Sequence, residues 1–472
     1  MQKRFHLFGQ LAILAIVAGL ALTGCSQPAP APTAAPAATE APAASAAVTT
    51  TAASAVTTTA ASAVTTTAAS AVTTTASSGA ATQTFELGVD GPFSGPDALN
   101  GTEFKRAFDM AMSPINYTIG NYKIDPVFID DQSDPAKATT AFEQAYGQKK
   151  IQAMVLNWNS STAVALMEET AKYKVPEFFG FGATETVNET FASNPAKYGY
   201  WMLKGWPSPA KLSVAYVSAI DDAITKGTFK PANKTVALGG EDSDWGHSFC
   251  GAIKSQFQAQ GWTVVDEEYF PIDQTEFTPL MTKLKNLNPA VFVLSSTAPP
   301  TMSAAIKQES QAGVNALTVA DGLGWVGNWY TLTGKASDYV LDEIPQLATA
   351  KGKAFVAAYQ AKYNVAPSAS AAGLAYDGTN MFIEMAKAVE AANNGQLTGD
   401  GIYQWVKANV WTGQWTYKDG IVMPEYKYTA DTIPDPVVGP GEYMFPVEQY
   451  FGGQSKIVYP ADIAVQALQG KP

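Results

Sequence analysis

Cysteine and histidine are nearly absent, with two of each in 472 residues. Cys25 and His6 fall in an N-terminal leader, which leaves His247 and Cys250 as the single pair in the rest of the chain. One His and one Cys are too few for a zinc site, which takes three or four protein ligands. A Cys beside a His can make an activated nucleophile. These two stand three apart on one expected helix, with Asp244 capping it and Cys250 on its buried face. A small buried hydrophobe is the commoner role of a free Cys. Also missing are a Gly-rich phosphate loop ahead of a Lys-Ser or Lys-Thr pair, and a Ser nucleophile elbow. The chain is expected to be no enzyme and to use no cofactor or metal, with a Cys/His hydrolase as the weakest alternative.

Charge is scarce as well. Charged residues make up 15%, below the usual quarter, and the net charge is −12. That balance argues against nucleic acid and anionic membrane surfaces as partners. Near the C-terminus no apolar run reaches the roughly 20 residues of a membrane span. A receptor ectodomain followed by a span is thus disfavoured, and a ligand-sensing subunit for a separate signalling partner stays as an alternative.

What is present begins with a leader. Lys3 and Arg4 precede an apolar stretch from Leu7 to Leu22, and Leu22-Thr23-Gly24-Cys25 resembles a bacterial lipobox. Residues 1–25 are read as a lipoprotein signal, with Cys25 lipidated and stably anchored in the membrane. In residues 26–83 Ala, Pro and Thr dominate with Glu40 as the one charge, and Val-Thr-Thr-Thr-Ala-Ala-Ser-Ala recurs from Val48, Val56 and Val64. Too little large apolar surface is present there to offset ordering entropy, so a disordered tether is expected.

From Thr84 on, strand and helix patterns alternate. Phe85–Val89, Tyr122–Ile129, Ile151–Leu156 and Val175–Phe179 read as strands, with helices over Asn100–Ile115 and Ala163–Tyr173 and one capped by Asp134-Pro135. A second such run has strands at Thr235–Leu238, Thr263–Tyr269, Ala290–Leu294, Leu317–Ala320 and Val340–Ile344. Helices at Lys351–Tyr363, Ala369–Ala392 and Gly399–Ala408 follow, then antiparallel strands and loops. Alternation of this kind implies βαβ units and parallel sheets. Two turns organise the first run: Trp158-Asn159-Ser160-Ser161-Thr162 and Gly182-Ala183-Thr184. Both follow buried strands, at the carboxyl edge where ligands bind. Hydroxyls and free N–H groups at a helix N-terminus suit a carboxylate, though Ser160, Ser161 and Thr184 equally suit helix caps. Trp158, Trp206, Trp245 and Trp325 each sit beside a turn, so at least one should line the pocket.

Gly91-Pro92-Phe93-Ser94-Gly95-Pro96, Asp130-Asp131-Gln132-Ser133-Asp134-Pro135, Asp244-Trp245-Gly246, Asp273 to Phe277, Asn288-Pro289 and Ala375-Tyr376-Asp377 follow one another in order. Together they resemble the leucine/isoleucine/valine-type solute-binding proteins of ABC transporters, over about Phe85 to Tyr428. The resemblance implies a type I periplasmic binding fold: two α/β lobes, each a parallel sheet flanked by helices, joined by a three-stranded hinge. Lobe 1 is expected at 84–203 and 329–412, and lobe 2 at 204–328 and 413–472. It also implies an extracytoplasmic monomer that captures an amino acid or related small carboxylate or amide and delivers it to an ABC permease. Ser160, with Ser161, falls at the family's carboxylate-binding position, Thr184 at its second turn with Gly182 lending backbone, and Asp321 where an acid faces the ligand ammonium. Asn100 and Trp245 replace tyrosines, Ala298-Pro299 replaces another aromatic position, and Trp158 adds bulk beside the Ser turn.

The anchor is directly testable. Intact-mass analysis of membrane-fraction protein should show a chain lacking Met1–Gly24 and carrying acyl groups on Cys25; an unmodified Cys25 in the mature chain contradicts the reading.

Overall fold

The computed structural model describes residues 82–439 and 441–472. The leader, Cys25 and the tether lie outside them. Among the described residues no helix is long and apolar enough to cross a membrane.

The apolar runs become strands of two sheets. The first sheet has β1 (Gln83–Gly91), β2 (Thr118–Ile119), β3 (Tyr122–Asp130), β4 (Ala153–Val155), β5 (Glu177–Gly180) and β6 (Trp201–Lys204), in the order β2-β3-β1-β4-β5-β6. All its pairings are parallel except β2 with β3. β4 and β5 are buried at every position, as strands covered by helices on both faces must be. The second sheet has β7 (Thr235–Glu241), β8 (Thr263–Phe270), β9 (Val291–Ser295), β10 (Leu317–Asp321), β11 (Leu341–Glu343), β12 (Val447–Phe451) and β13 (Gln454–Tyr459). Its order is β13-β12-β11-β10-β9-β7-β8, parallel up to β11 and antiparallel beyond. These are the parallel sheets that the alternating pattern implied, in the two-lobe α/β architecture that the resemblance implied.

Helix starts follow local chemistry. Asp134 accepts from the N–H groups of Ala136 and Lys137 at 2.9 and 3.0 Å, with Pro135 in the first turn. The helix expected from Ala369 opens as a wide π turn over Ala369–Gly373 before Leu374–Ala392 turns α-helical.

Both outer lobe boundaries shift from their expected places. Val319 of β10 pairs with Leu341 of β11, and Trp329 packs on Tyr450 of β12, so 329–343 belongs with the second sheet. After the helices over Ala350–Asn409, the chain also stays longer on the first lobe than 412. Asp377, in the helix packed on β4 and β5, accepts from the N–H groups of Ile421 (2.7 Å) and Val422 (2.9 Å) and from the Tyr426 hydroxyl (2.7 Å).

The first and third passes between lobes are stitched together. Lys204, at the end of β6, lies 2.8 Å from Asp435, both side chains fully buried, and Lys211 adds a second contact at 2.7 Å. Burial works to raise the Asp435 carboxyl, and the two ammonium groups together outweigh it and hold it below the usual range. Burial also lowers the Lys204 ammonium, against the pull of Asp435. The Tyr428 and Tyr443 hydroxyls donate to the Lys204 and Gly205 carbonyls at 2.7 and 2.6 Å.

Candidate ligand site

The site is assembled where strand ends meet. β4 runs out through Leu156 and Asn157, both at positive φ (68° and 144°), a conformation uncommon for residues other than glycine. The strain is tied down by the Asn157 amide. Its Nδ2 donates to Asp90 at the end of β1 and to the Thr162 hydroxyl, each at 3.0 Å, and its Oδ1 accepts from Gly182 N–H at 3.1 Å. One side chain thus locks the ends of β1, β4 and β5. Gly182 is required there because a Cβ would stand 2.2 Å from that of Ala163.

The two hydroxyl-rich turns bond to each other. The Ser160 oxygen accepts from the N–H groups of Ala183 and Thr184 at 3.1 and 3.2 Å. Its own proton remains to donate. Thr184 caps the helix Glu185–Ser193, accepting from Thr186 N–H. Ser161 reaches the second lobe, accepting from Asp244 N–H at 3.0 Å, and Ser248 accepts from Glu185 N–H at 3.1 Å. Asn159 spans the lobes too, donating to Asp97 and, at 3.3 Å, to Thr297.

Between the lobes lies a cavity lined by Trp158, Ser160, Phe181, Trp206, Trp245, Thr297 and Trp325. Its space between atoms is about 270 Å³, of which a water's centre can reach about 20 Å³. Ring centroids of Trp158, Trp206 and Trp245 lie 5.6, 5.2 and 5.6 Å from that of Trp325, at interplanar angles of 86°, 70° and 62°. These are edge-to-face contacts. Trp245 donates its N–H to Ser295 at 3.0 Å, while those of Trp158, Trp206 and Trp325 are buried with no partner in the protein.

Carboxyl groups stand behind this lining. Asp97, fully buried, is pushed up to about 8, by burial first and then by the Glu241 charge, against hydrogen bonds from Asn159 and Thr297. Burial likewise raises Glu241, whose oxygens accept from Ser243 (2.6 Å), Ser296 (3.2 Å) and Thr297 N–H (2.7 Å). Asp321 is held well above the carboxylate range by burial and the Asp342 charge. One of its oxygens accepts from the Tyr216 hydroxyl at 2.9 Å; the other has no partner.

Three of the eight residues expected at the site line the cavity: Trp158, Ser160 and Trp245. Ser161 and Thr184 line instead a wide recess of about 810 Å³ by water-centre volume, beside His247 and Asp242. Gly182 has given its N–H to Asn157, so it lends no backbone donor. Asn100 supports the site from behind, donating to the Trp325 carbonyl at 3.1 Å. Asp321 is turned to Tyr216 and lies outside the lining. Of the tryptophans beside turns, all four reach the cavity. Phe181, Thr297 and Asn157 were missed; the strand ends at β5, β9 and β4 are the signal that marks their neighbourhood. A further opening of about 440 Å³ near Pro231 and Asn288 sits where β9 and β10 begin, the edge opposite to the one where α/β sheets bind ligands. Burial pushes the Cys250 thiol far up, and His247 faces outward to Asp242 at 2.8 Å, so the two form no nucleophile pair. No cluster of three metal-ligating side chains occurs among the described residues.

The sequence profile of a periplasmic binding protein family matches residues 84–413. The Leu/Ile/Val-binding protein homolog 8 of Brucella abortus is 23% identical over 334 residues, which cover 67% of this chain and 80% of that protein. The fold is shared with a solute-binding protein of an ABC transporter from Rhodopseudomonas palustris, in complex with 3,4-dihydroxybenzoic acid (TM-score 0.63, 19% identity, covering 79% of this chain and 95% of that one). It is shared as well with a branched-chain amino acid transporter substrate-binding protein from Streptococcus pneumoniae, in complex with isoleucine (TM-score 0.63, 19% identity, covering 79% and 97%).

The double acceptance by Ser160 makes a prediction separate from ligand binding. Ser160→Ala strands two buried N–H groups and should lower the unfolding free energy of ligand-free protein by about 1–3 kcal/mol. Urea denaturation followed by circular dichroism measures this, and an unchanged midpoint contradicts it.

Proposed function

The chain belongs to the periplasmic binding protein family, and from that premise we propose that it is an extracytoplasmic solute receptor for an ABC importer. It captures an amino acid or a related small carboxylate or amide between the lobes and delivers it to the permease, as a monomer held to the membrane through Cys25. The observation that carries this reading is the lining of the cavity. Trp158, Ser160 and Phe181 come from the ends of β4 and β5; Trp245, Thr297 and Trp325 follow β7, β9 and β10; Trp206 lies on the first pass between lobes. A solute held there touches both lobes at once, so its binding favours the closed form over the open one. The lobes that move are 83–204 with 350–428, and 210–343 with 447–472. Ser161–Asp244, Glu185–Ser248 and Asn159–Thr297 are among the polar contacts that closure makes and opening breaks. The chemistry is capture alone, in keeping with a buried, protonated Cys250.

Mass spectrometry of small molecules released on denaturing the purified protein tests this. One compact polar solute, approaching one per chain, should be released, and adding it back to dialysed protein should change tryptophan fluorescence. Protein that releases no solute and shows no fluorescence response to amino acids, carboxylates or amides contradicts the receptor reading.

A further inference from the structure

Resting on the receptor reading, we infer that the solute is a compact zwitterion whose ammonium is alkylated, of the N-methylated amino-acid class, with its ammonium among the four indoles and Asp97 as counter-charge behind them. The first ground is the shape and chemistry of the lining. Five of the seven residues are aromatic, four of them tryptophan, the best side chain for holding a cation by its ring face. Trp245 has spent its N–H on Ser295, so only its ring is left for a solute.

The second ground is charge. No Lys or Arg lines the cavity, and the groups standing behind it are the carboxyls of Asp97, Glu241 and Asp321. Glu241 has its oxygens occupied by Ser243, Ser296 and Thr297. Asp97 keeps one buried oxygen without a partner, and it touches the lining through Asn159, which also bonds Thr297. Burial and the Glu241 charge push it up to about 8, so it is largely protonated in the solute-free protein, and a cation placed beside it would draw it into the charged form. A purely anionic solute placed here would lose its hydration with no positive charge to replace it.

The third ground separates an alkylated ammonium from a primary one. A primary ammonium carries three N–H donors that need acceptors when buried. The lining offers the hydroxyls of Ser160 and Thr297: Ser160 has both lone pairs on backbone N–H groups, and Thr297, which donates to Glu241 and accepts from Asn159, has one left, so the lining holds one acceptor for three N–H groups. A fully alkylated ammonium has no N–H to satisfy and needs only ring faces and a nearby negative charge. The carboxylate end then meets donors. The indole N–H groups of Trp158, Trp206 and Trp325 have no partner in the protein, and Ser160 still has its proton to give. A water's centre reaches only about 20 Å³ of the cavity, far below the roughly 300–1,000 Å³ of sites for drug-sized molecules, so a solute enters only as the rings part, and a compact one needs the least parting.

Calorimetric titration of the full, dialysed protein with trimethylglycine, tetramethylammonium, glycine, leucine and benzoate tests the inference. Trimethylglycine should bind at least about tenfold more tightly than glycine, leucine or benzoate, with tetramethylammonium weaker than trimethylglycine but measurable. Asp97→Asn keeps an acceptor for Asn159 and should weaken trimethylglycine by about tenfold or more at an unchanged melting temperature. If that variant melts early, Trp245→Leu provides the same test, with loss of trimethylglycine binding expected. Tighter binding of leucine or benzoate overturns the inference and leaves the receptor reading standing. No binding from the panel, with a different solute released by the purified protein, does the same. No binding and no released solute removes the receptor reading itself.

Discussion

Trp325 is the contact on which the closed molecule depends. Its ring meets those of Trp158 from the first lobe, Trp245 from the second and Trp206 from the pass between them. Each such edge-to-face pair contributes about 0.5–1.5 kcal/mol beyond the area it buries. The loop that carries Trp325 is fixed from both sides. Asp342 accepts from Gly324 N–H at 2.6 Å in the second lobe, while Glu103 accepts from Gly327 N–H at 2.9 Å and Asn100 donates to the Trp325 carbonyl from the first. The same rings therefore join the lobes and line the cavity, so a solute that enters must part the contacts that hold the lobes together.

Polar groups around this aromatic seam are satisfied mostly by one another. Ser160 bonds the facing turn, Asn157 joins three strand ends, and the Lys204–Asp435 pair joins two of the passes between lobes. A buried pair of this kind adds little net stability, yet removing one partner costs about 3–5 kcal/mol because the other charge is left bare. Its value is geometric: it holds the first and third passes side by side. Among the buried polar atoms without a partner in the protein are three indole N–H groups of the lining and one oxygen each of Asp97 and Asp321.

Local patterning carried the sequence reading a long way. The buried strands, the Asp134-Pro135 helix start and the turns after β4 and β5 are encoded within a few residues, and they stand where the pattern put them. The lobe boundaries depend on pairing across distance. Leu341 belongs to the second sheet because it meets Val319, and residues 421–426 belong to the first lobe because Asp377 holds them. Neither partner is visible from its own neighbourhood. The site divides the same way. Trp158, Ser160 and Trp245 were legible from strand-end turns, and Asp321 was placed on the ligand by resemblance. Tyr216, 105 residues away, bonds one oxygen of that carboxyl, and the residue stands outside the cavity lining. Asn157 escaped notice because its role exists only when β1, β4 and β5 converge.

The central claim is that the solute sits in the aromatic seam between the lobes. A crystal structure of the protein grown with the solute it retains through purification tests this most directly. The account predicts ligand density bounded by Trp158, Trp206, Trp245 and Trp325 and in contact with Ser160. Density in the recess beside Thr184 and His247, or at the amino edge of the second sheet near Pro231 and Asn288, contradicts it.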